Sequence, residues 1–62
     1  MSFMVFTRAR GKSPRRSHIV DTAEEARAYC QPRNERRSKR QRDRGFFYEF
    51  ANLKWYLEAF GR

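Results

Sequence analysis

The sequence predicts a small α+β domain with an N-terminal β-hairpin, one capped helix, a basic loop, an aromatic strand and a short C-terminal helix. Three observations support this fold class. Two segments rich in β-branched or aromatic residues flank a Gly and Pro turn, Asp21 and Glu24 have the spacing of a helix start, and 16% of the 62 residues are aromatic. Each buried ring removes roughly 150–250 Å² from water, so a few rings can supply a core. We expect one domain over residues 1–62.

The hairpin is expected on either side of "GKSP". "SFMVFTRAR", from Ser2 to Arg10, alternates in a way that suits a strand covered on one face and partly on the other. "RRSHIV", from Arg15 to Val20, is expected to form the second strand. Gly11 tolerates positive φ and Pro14 fixes its own φ, so the residues between the strands indicate a turn.

The helix is expected to begin in "DTAEEARAYC". Asp21 can accept hydrogen bonds from free N–H groups at a helix start, and Glu24 completes a pair that resembles a capping box. Pro32 disfavours a helical conformation at the residue before it, so the helix is predicted over Thr22 to Cys30. Cys30, the only cysteine, is interpreted as a small buried hydrophobe and not as a reactive thiol.

Residues 31–44 are predicted to form a mobile basic loop. Apart from the ring of Pro32, the segment has no apolar side chain, so a helix here would have no face to bury. Glu35 and Lys39 are spaced for an ion pair on a helix, but such a pair adds little stability by itself. We expect the loop to become ordered on a partner.

The C-terminal segment "GFFYEFANLKWYLEAFGR" fits three structures: one amphipathic helix, a hairpin turning at Ala51 and Asn52, or a strand followed by a helix. We favour the third. In it, residues 45–50 form a strand, Asn52 caps a short helix, and Gly61 ends that helix in the left-handed conformation. Trp55 is expected to be substantially buried.

A strand ending in "VDTAEEARAYC", a polar loop with "RSKRQ" and then "GFFYEF" resembles short, uncharacterised accessory proteins of tailed bacteriophages. The resemblance covers about Val20 to Phe50. It implies a phage origin, a place in the host cytoplasm and an accessory role during infection. It carries no catalytic residues to this chain. The single cysteine also fits a reducing cytoplasm, and Met1-Ser2 with no tag suggests a complete gene product.

The charge of the chain narrows the class of partner. Lys and Arg total 15 against 7 Asp and Glu, and the formal net charge is +8. Such an excess costs self-repulsion in the folded state, which an anionic partner offsets. The candidate binding residues are seven cations in the basic loop and four around the first turn: Arg33, Arg36, Arg37, Lys39, Arg40, Arg42 and Arg44, with Arg8, Arg10, Arg15 and Arg16.

Three interpretations of this charge stay open. It can serve solubility alone, it can bind nucleic acid through phosphates, or it can dock on an acidic surface of a host protein or defence complex as an inhibitor. Two separate basic groups weaken the first interpretation. We place nucleic acid slightly ahead of an acidic protein, and we expect no membrane and no small-molecule substrate.

We expect no enzymatic activity, no cofactor and no metal. The chain has no phosphate-binding glycine loop and no nucleophile motif. His18, the only histidine, is expected on a strand surface without a cysteine nearby, whereas a metal site needs three or four ligands. The carboxylates Asp21, Glu24 and Glu25 are better explained as helix-start residues.

Overall fold

Three antiparallel strands form one sheet in the order β2–β1–β3, and helices cover both of its faces. The computed structural model describes residues 1–61. The strands are β1 (Phe3–Arg8), β2 (Arg15–Val20) and β3 (Phe47–Asn52), and the helices are α1 (Ala23–Glu35), α2 (Lys39–Asp43) and α3 (Leu53–Phe60). The α+β class and the N-terminal hairpin are confirmed.

The hairpin turn is longer than expected because β1 ends at Arg8 and not at Arg10. The N–H of Lys12 donates to the carbonyl of Ala9 at 3.0 Å and closes a β-turn. Gly11 lies at the third position of this turn with a φ of 72°. A side chain is disfavoured at that φ, which explains the glycine.

The core has two layers because β1 is the central strand. Met4 and Phe6 point to one face, where they pack on Tyr56 of α3. Val5 points to the other face, where it packs on Ala26 and Cys30 of α1. Successive residues of a strand alternate between faces, so covering both faces buries the whole run from Met4 to Phe6.

Both predicted boundaries of the first helix are wrong. The N-cap is Thr22, whose Oγ1 accepts from the N–H of Glu25 at 3.1 Å, and not Asp21. The helix continues past Cys30 to Glu35, with Pro32 inside it. An interior proline costs roughly 3 kcal/mol through a lost hydrogen bond and a steric clash. Contacts beyond Pro32 must therefore hold the last turn.

Asn34 supplies those contacts. Its Nδ2 donates to the carbonyl of Tyr48 at 2.9 Å, and its Oδ1 accepts from the N–H of the same residue at 2.6 Å. The amide thereby pairs with β3 as a neighbouring strand would, on the edge away from β1. This long-range pairing replaces the apolar face that the segment lacks.

The expected basic loop is largely helical. Its first part is the end of α1, and its second part contains α2, which begins with a capping box. Ser38 Oγ accepts from the N–H of Gln41, and Gln41 Oε1 accepts from the N–H of Ser38. α2 ends in a Schellman motif: the N–H groups of Gly45 and Phe46 donate to the carbonyls of Arg42 and Gln41. Gly45 adopts the left-handed conformation that this motif requires, with a φ of 72°.

A strand followed by a helix is confirmed at the C-terminus, with three corrections. The strand spans Phe47–Asn52 and not residues 45–50. Asn52 caps α3 by accepting from the N–H groups of Lys54 and Trp55, as expected. Gly61 ends the helix with a φ of −77°, which is not left-handed. Trp55 is 53% exposed, whereas Tyr56 is buried. Tyr56 lies in the middle of the inward stripe of α3, and Trp55 falls on its flank.

Candidate nucleic-acid interface

The topology collects the candidate cations at one end of the sheet. Arg8 lies opposite Phe47, and Thr7 lies opposite Arg15, so the end of β1 and the starts of β2 and β3 are neighbours. α1 begins at the other end, after Val20, and returns to this one. We call the segments gathered here the basic end. They carry all eleven sequence-predicted candidates: Arg8, Arg10, Arg15, Arg16, Arg33, Arg36, Arg37, Lys39, Arg40, Arg42 and Arg44.

The acidic residues of the helix start lie at the opposite end. Asp21 and Glu24 follow β2 at Val20, which pairs with Phe3 at the far end of β1. Glu25 is in the first turn of the same helix. The three carboxylates of the helix start therefore lie away from the basic end, whereas Glu35 at the end of α1 and Asp43 in α2 lie within it.

A cleft lies where the hairpin turn meets the end of α2. The N–H of Arg10 donates to the carbonyl of Arg44 at 3.0 Å and joins these two segments. The cleft has a volume of about 740 Å³, and five cations line it without any carboxylate: Arg8, Arg10, Lys12, Arg15 and Arg44. We call it the cation cleft. It brings together residues from both basic groups of the sequence.

Lys12 was missed as a candidate, although it stands within the turn between Arg10 and Arg15. The signal that could have found it is its place in "GKSP", because a turn between two strands carries its side chains at the end of the sheet. The lining of the cation cleft also includes the uncharged polar side chain of Gln41 and the half-buried aromatic ring of Phe46.

Several candidate cations already have partners inside the protein. The Arg37 guanidinium donates from Nε to the carbonyl of Asn34 and from Nη1 to the carbonyl of Phe46, both at 2.8 Å. Arg33 lies 3.6 Å from the ring centre of Tyr29 and donates to the carbonyl of that residue. Arg37 thereby joins the end of α1 to the residue before β3, whereas the contacts of the exposed Arg33 stay within α1. Arg37, a candidate binding residue, has its guanidinium engaged within the fold.

Arg8 and Arg16 are held on the face that α3 covers. Arg8 Nη1 lies 3.5 Å from Glu49 Oε2, the only ion pair among residues 1–61. That oxygen is enclosed and accepts no hydrogen bond from the described residues, so Arg8 compensates its charge. Arg16 lies over the ring of Tyr56 at 5.8 Å. Arg8 therefore adds little to the net charge of the cation cleft.

The remaining cations of the basic end have no such partner. Within residues 1–61, no side-chain hydrogen bond, ion pair or ring contact engages their charged groups. Four line the cation cleft and four lie on or beside α2, all of them exposed: Arg10, Lys12, Arg15 and Arg44, with Arg36, Lys39, Arg40 and Arg42.

A second cavity, of about 670 Å³, runs between α1 and the outer edge of β3. Its lining includes Glu35 and Glu49 as well as arginines, so its charge is mixed. Cys30 lies at its inner wall and is buried. Burial raises the pKa of the Cys30 thiol, Arg33 lowers it and Glu49 raises it, with the net effect upward. A thiol of raised pKa is a poor nucleophile at neutral pH.

Among the described residues, no group of three or more His, Cys, Asp or Glu side chains is arranged to hold a metal ion. No helix in residues 1–61 combines the length and apolarity needed to cross a membrane. No protein family matches the chain, and no curated protein or solved structure shows significant similarity to it.

Proposed function

We propose that this protein is a non-enzymatic nucleic-acid-binding protein that contacts phosphates with its basic end. The observation that carries the proposal is the cation cleft, where residues far apart in the sequence converge without a carboxylate. Like charges repel, so gathering them costs free energy that an anionic ligand returns. Arginine binds phosphate oxygens through paired N–H groups, and three of the four unengaged cleft cations are arginines.

The excess of positive charge at the basic end supports the same function, because the eight unengaged cations there outnumber the carboxylates of Glu35 and Asp43. A polyanion approaching the protein is attracted to the basic end and repelled by the carboxylates of Asp21, Glu24 and Glu25 at the other end. This arrangement orients the encounter and speeds association at low salt.

The position of the exposed apolar residues favours a nucleic acid over an acidic protein. Protein interfaces are centred on buried aromatic or aliphatic anchors. Met1, Ile19, Trp55 and Leu57 are exposed, but none of them lines the cation cleft, and Met1 and Ile19 lie near the opposite end of the sheet. The cation cleft therefore offers charge with only the half-buried ring of Phe46 as a large apolar surface, which suits a phosphate backbone.

Sequence preference is expected to be weak. Phosphate contacts fix the position of a protein on nucleic acid, whereas contacts with base edges supply specificity. α2 has only five residues, too few to present a row of side chains along a major groove. The proposed setting is the host cytoplasm, as the resemblance to phage proteins implies.

Titration with labelled duplex DNA, single-stranded DNA and RNA at several salt concentrations tests this proposal. The logarithm of affinity should fall linearly with the logarithm of salt concentration, with a slope of about −0.9 per phosphate contact on duplex DNA and about −0.7 on single strands. Engagement of four to six of the eight unengaged cations gives a slope of roughly −3 to −5. Absence of binding to all three at low salt would refute the proposal and leave an acidic protein as the partner.

A further inference from the structure

The cation cleft brings four unengaged positive charges into one cavity. Arg8 is paired with Glu49, so the unengaged charges of the cleft are those of Arg10, Lys12, Arg15 and Arg44. The cleft that they line has a volume of about 740 Å³. That volume is in the range of small-molecule sites, roughly 300–1,000 Å³. Each phosphodiester carries one charge, and a sugar separates it from the next.

A terminal di- or triphosphate has a better charge match. It places several negative charges on directly linked phosphoryl groups, so that all of them fit within one small site. We infer that the cation cleft binds the 5′-di- or triphosphate end of a nucleic-acid strand. This inference rests on the proposed function and gives it a defined ligand.

The walls of the cleft are held in place before any ligand binds. Arg10, Lys12 and Arg15 come from the hairpin, and Arg44 comes from the end of α2. The Arg10–Arg44 backbone hydrogen bond joins the two walls, and the Schellman motif at Gly45 fixes the chain that follows Arg44. The backbone positions of these cations are therefore fixed, and only their side chains lose conformational freedom on binding.

The remaining lining can receive the first nucleoside. The ring of Phe46 provides the apolar surface of the cleft, against which a base or sugar can pack. The Oε1 of Gln41 is occupied by the N–H of Ser38, which leaves its amide N–H groups to donate to an oxygen in the cleft.

A strand end fits better than a free nucleotide because the basic surface continues outside the cleft. Arg36, Lys39 and Arg40 are exposed on and before α2 and do not line the cleft. The backbone of a strand whose first phosphates occupy the cleft can reach these cations. A single nucleotide bound in the cleft has no further backbone with which to reach these cations.

Fluorescence anisotropy with two RNA oligonucleotides tests the inference on the unmodified protein. One carries a 5′-triphosphate. The other has a 5′-hydroxyl and is lengthened so that its total charge is equal. The triphosphate oligonucleotide should bind about tenfold more tightly or better, the effect of one additional charge-assisted hydrogen bond. Equal affinity would overturn the inference while leaving the proposed function intact, whereas no binding of either would overturn both.

Two double variants of equal charge locate the effect. Arg10→Gln with Arg15→Gln should abolish the preference for the triphosphate end. Arg36→Gln with Arg40→Gln should weaken both oligonucleotides by a similar factor and keep the preference. Loss of the preference in both variants would place recognition outside the cleft.

Competition by inorganic tripolyphosphate and by a nucleoside triphosphate separates a strand end from a free phosphate compound. Both should displace the 5′-triphosphate oligonucleotide only at concentrations about tenfold or more above that of the unlabelled oligonucleotide. Displacement at equal concentration would contradict the strand-end assignment.

Discussion

Asn34→Ala tests the contact that holds the last turn of α1 against the sheet. The substitution removes two hydrogen bonds, at 2.9 and 2.6 Å, and leaves both backbone groups of Tyr48 without a protein partner. Each such bond contributes about 1 kcal/mol, so the free energy of unfolding should fall by about 2 kcal/mol. A domain of this size has roughly 3–9 kcal/mol in total, which makes the loss large.

Thermal and urea unfolding followed by circular dichroism measure this effect. A loss of about 2 kcal/mol in so small a domain lowers the Tm by roughly 8–16 °C. Gln31→Ala is the matched control, because it also introduces alanine into α1, at an exposed position with no such hydrogen bond. If both variants unfold within about 0.5 kcal/mol of each other, Asn34 does not hold α1 past Pro32.

Three further perturbations test the fold. Tyr56→Ala removes a buried ring and should lower the free energy of unfolding by about 3–5 kcal/mol, whereas Trp55→Ala removes a half-exposed ring and should lower it by about 1 kcal/mol or less. Comparable losses in urea unfolding would contradict the assignment of Tyr56 to the inward face of α3. The pKa of Cys30 is raised in the folded protein, so ionisation of the thiol favours the unfolded chain. The free energy of unfolding should therefore be independent of this thiol below its ordinary pKa of 9.0 and should fall as pH rises above that value. Cys30→Ala should lack that component of the pH profile, and an unchanged profile would show that the thiol does not titrate with unfolding. Gly45→Ala and Gly11→Ala share a φ of 72°, but a Cβ at Gly45 would lie 3.4 Å from that of Arg10 whereas one at Gly11 meets nothing within 4 Å. Neither Cβ meets a clash, so the shared φ should destabilise both variants by about 1–2 kcal/mol, and unchanged stability of either in thermal unfolding would contradict its left-handed conformation.

The local signals in the sequence predicted the elements whose causes are themselves local. The turn residues gave the hairpin, and Asn52 was identified as the cap of α3. The extent of α1 could not be predicted in this way. The local preference against helix before Pro32 is real, but Asn34 overrides it through Tyr48, which is fourteen residues away. The capping box of Ser38 and Gln41 is a local signal that the absence of an apolar face in this segment does not override.

The composition of the candidate site was predicted, but its geometry was not. The two basic groups are evident in the sequence. Their meeting depends on the pairing of β1 with β3 and on the turn at Gly45, which brings Arg44 to Arg10. The internal role of Arg37 depends on its contact with Phe46, nine residues away, so a count of charges cannot distinguish it from a free cation.

The central claim is that the position of charge at the basic end, and not the total charge of the chain, produces binding. The direct measurement is the salt dependence of single-stranded RNA affinity for two variants that each lose two charges. Arg10→Gln with Arg15→Gln should reduce the magnitude of the slope by about 1.4, which is two contacts at about 0.7 each. Arg27→Gln with Lys54→Gln, in the half of the molecule where α1 and α3 begin, should leave the slope unchanged. Equal reductions in the two variants would contradict the account.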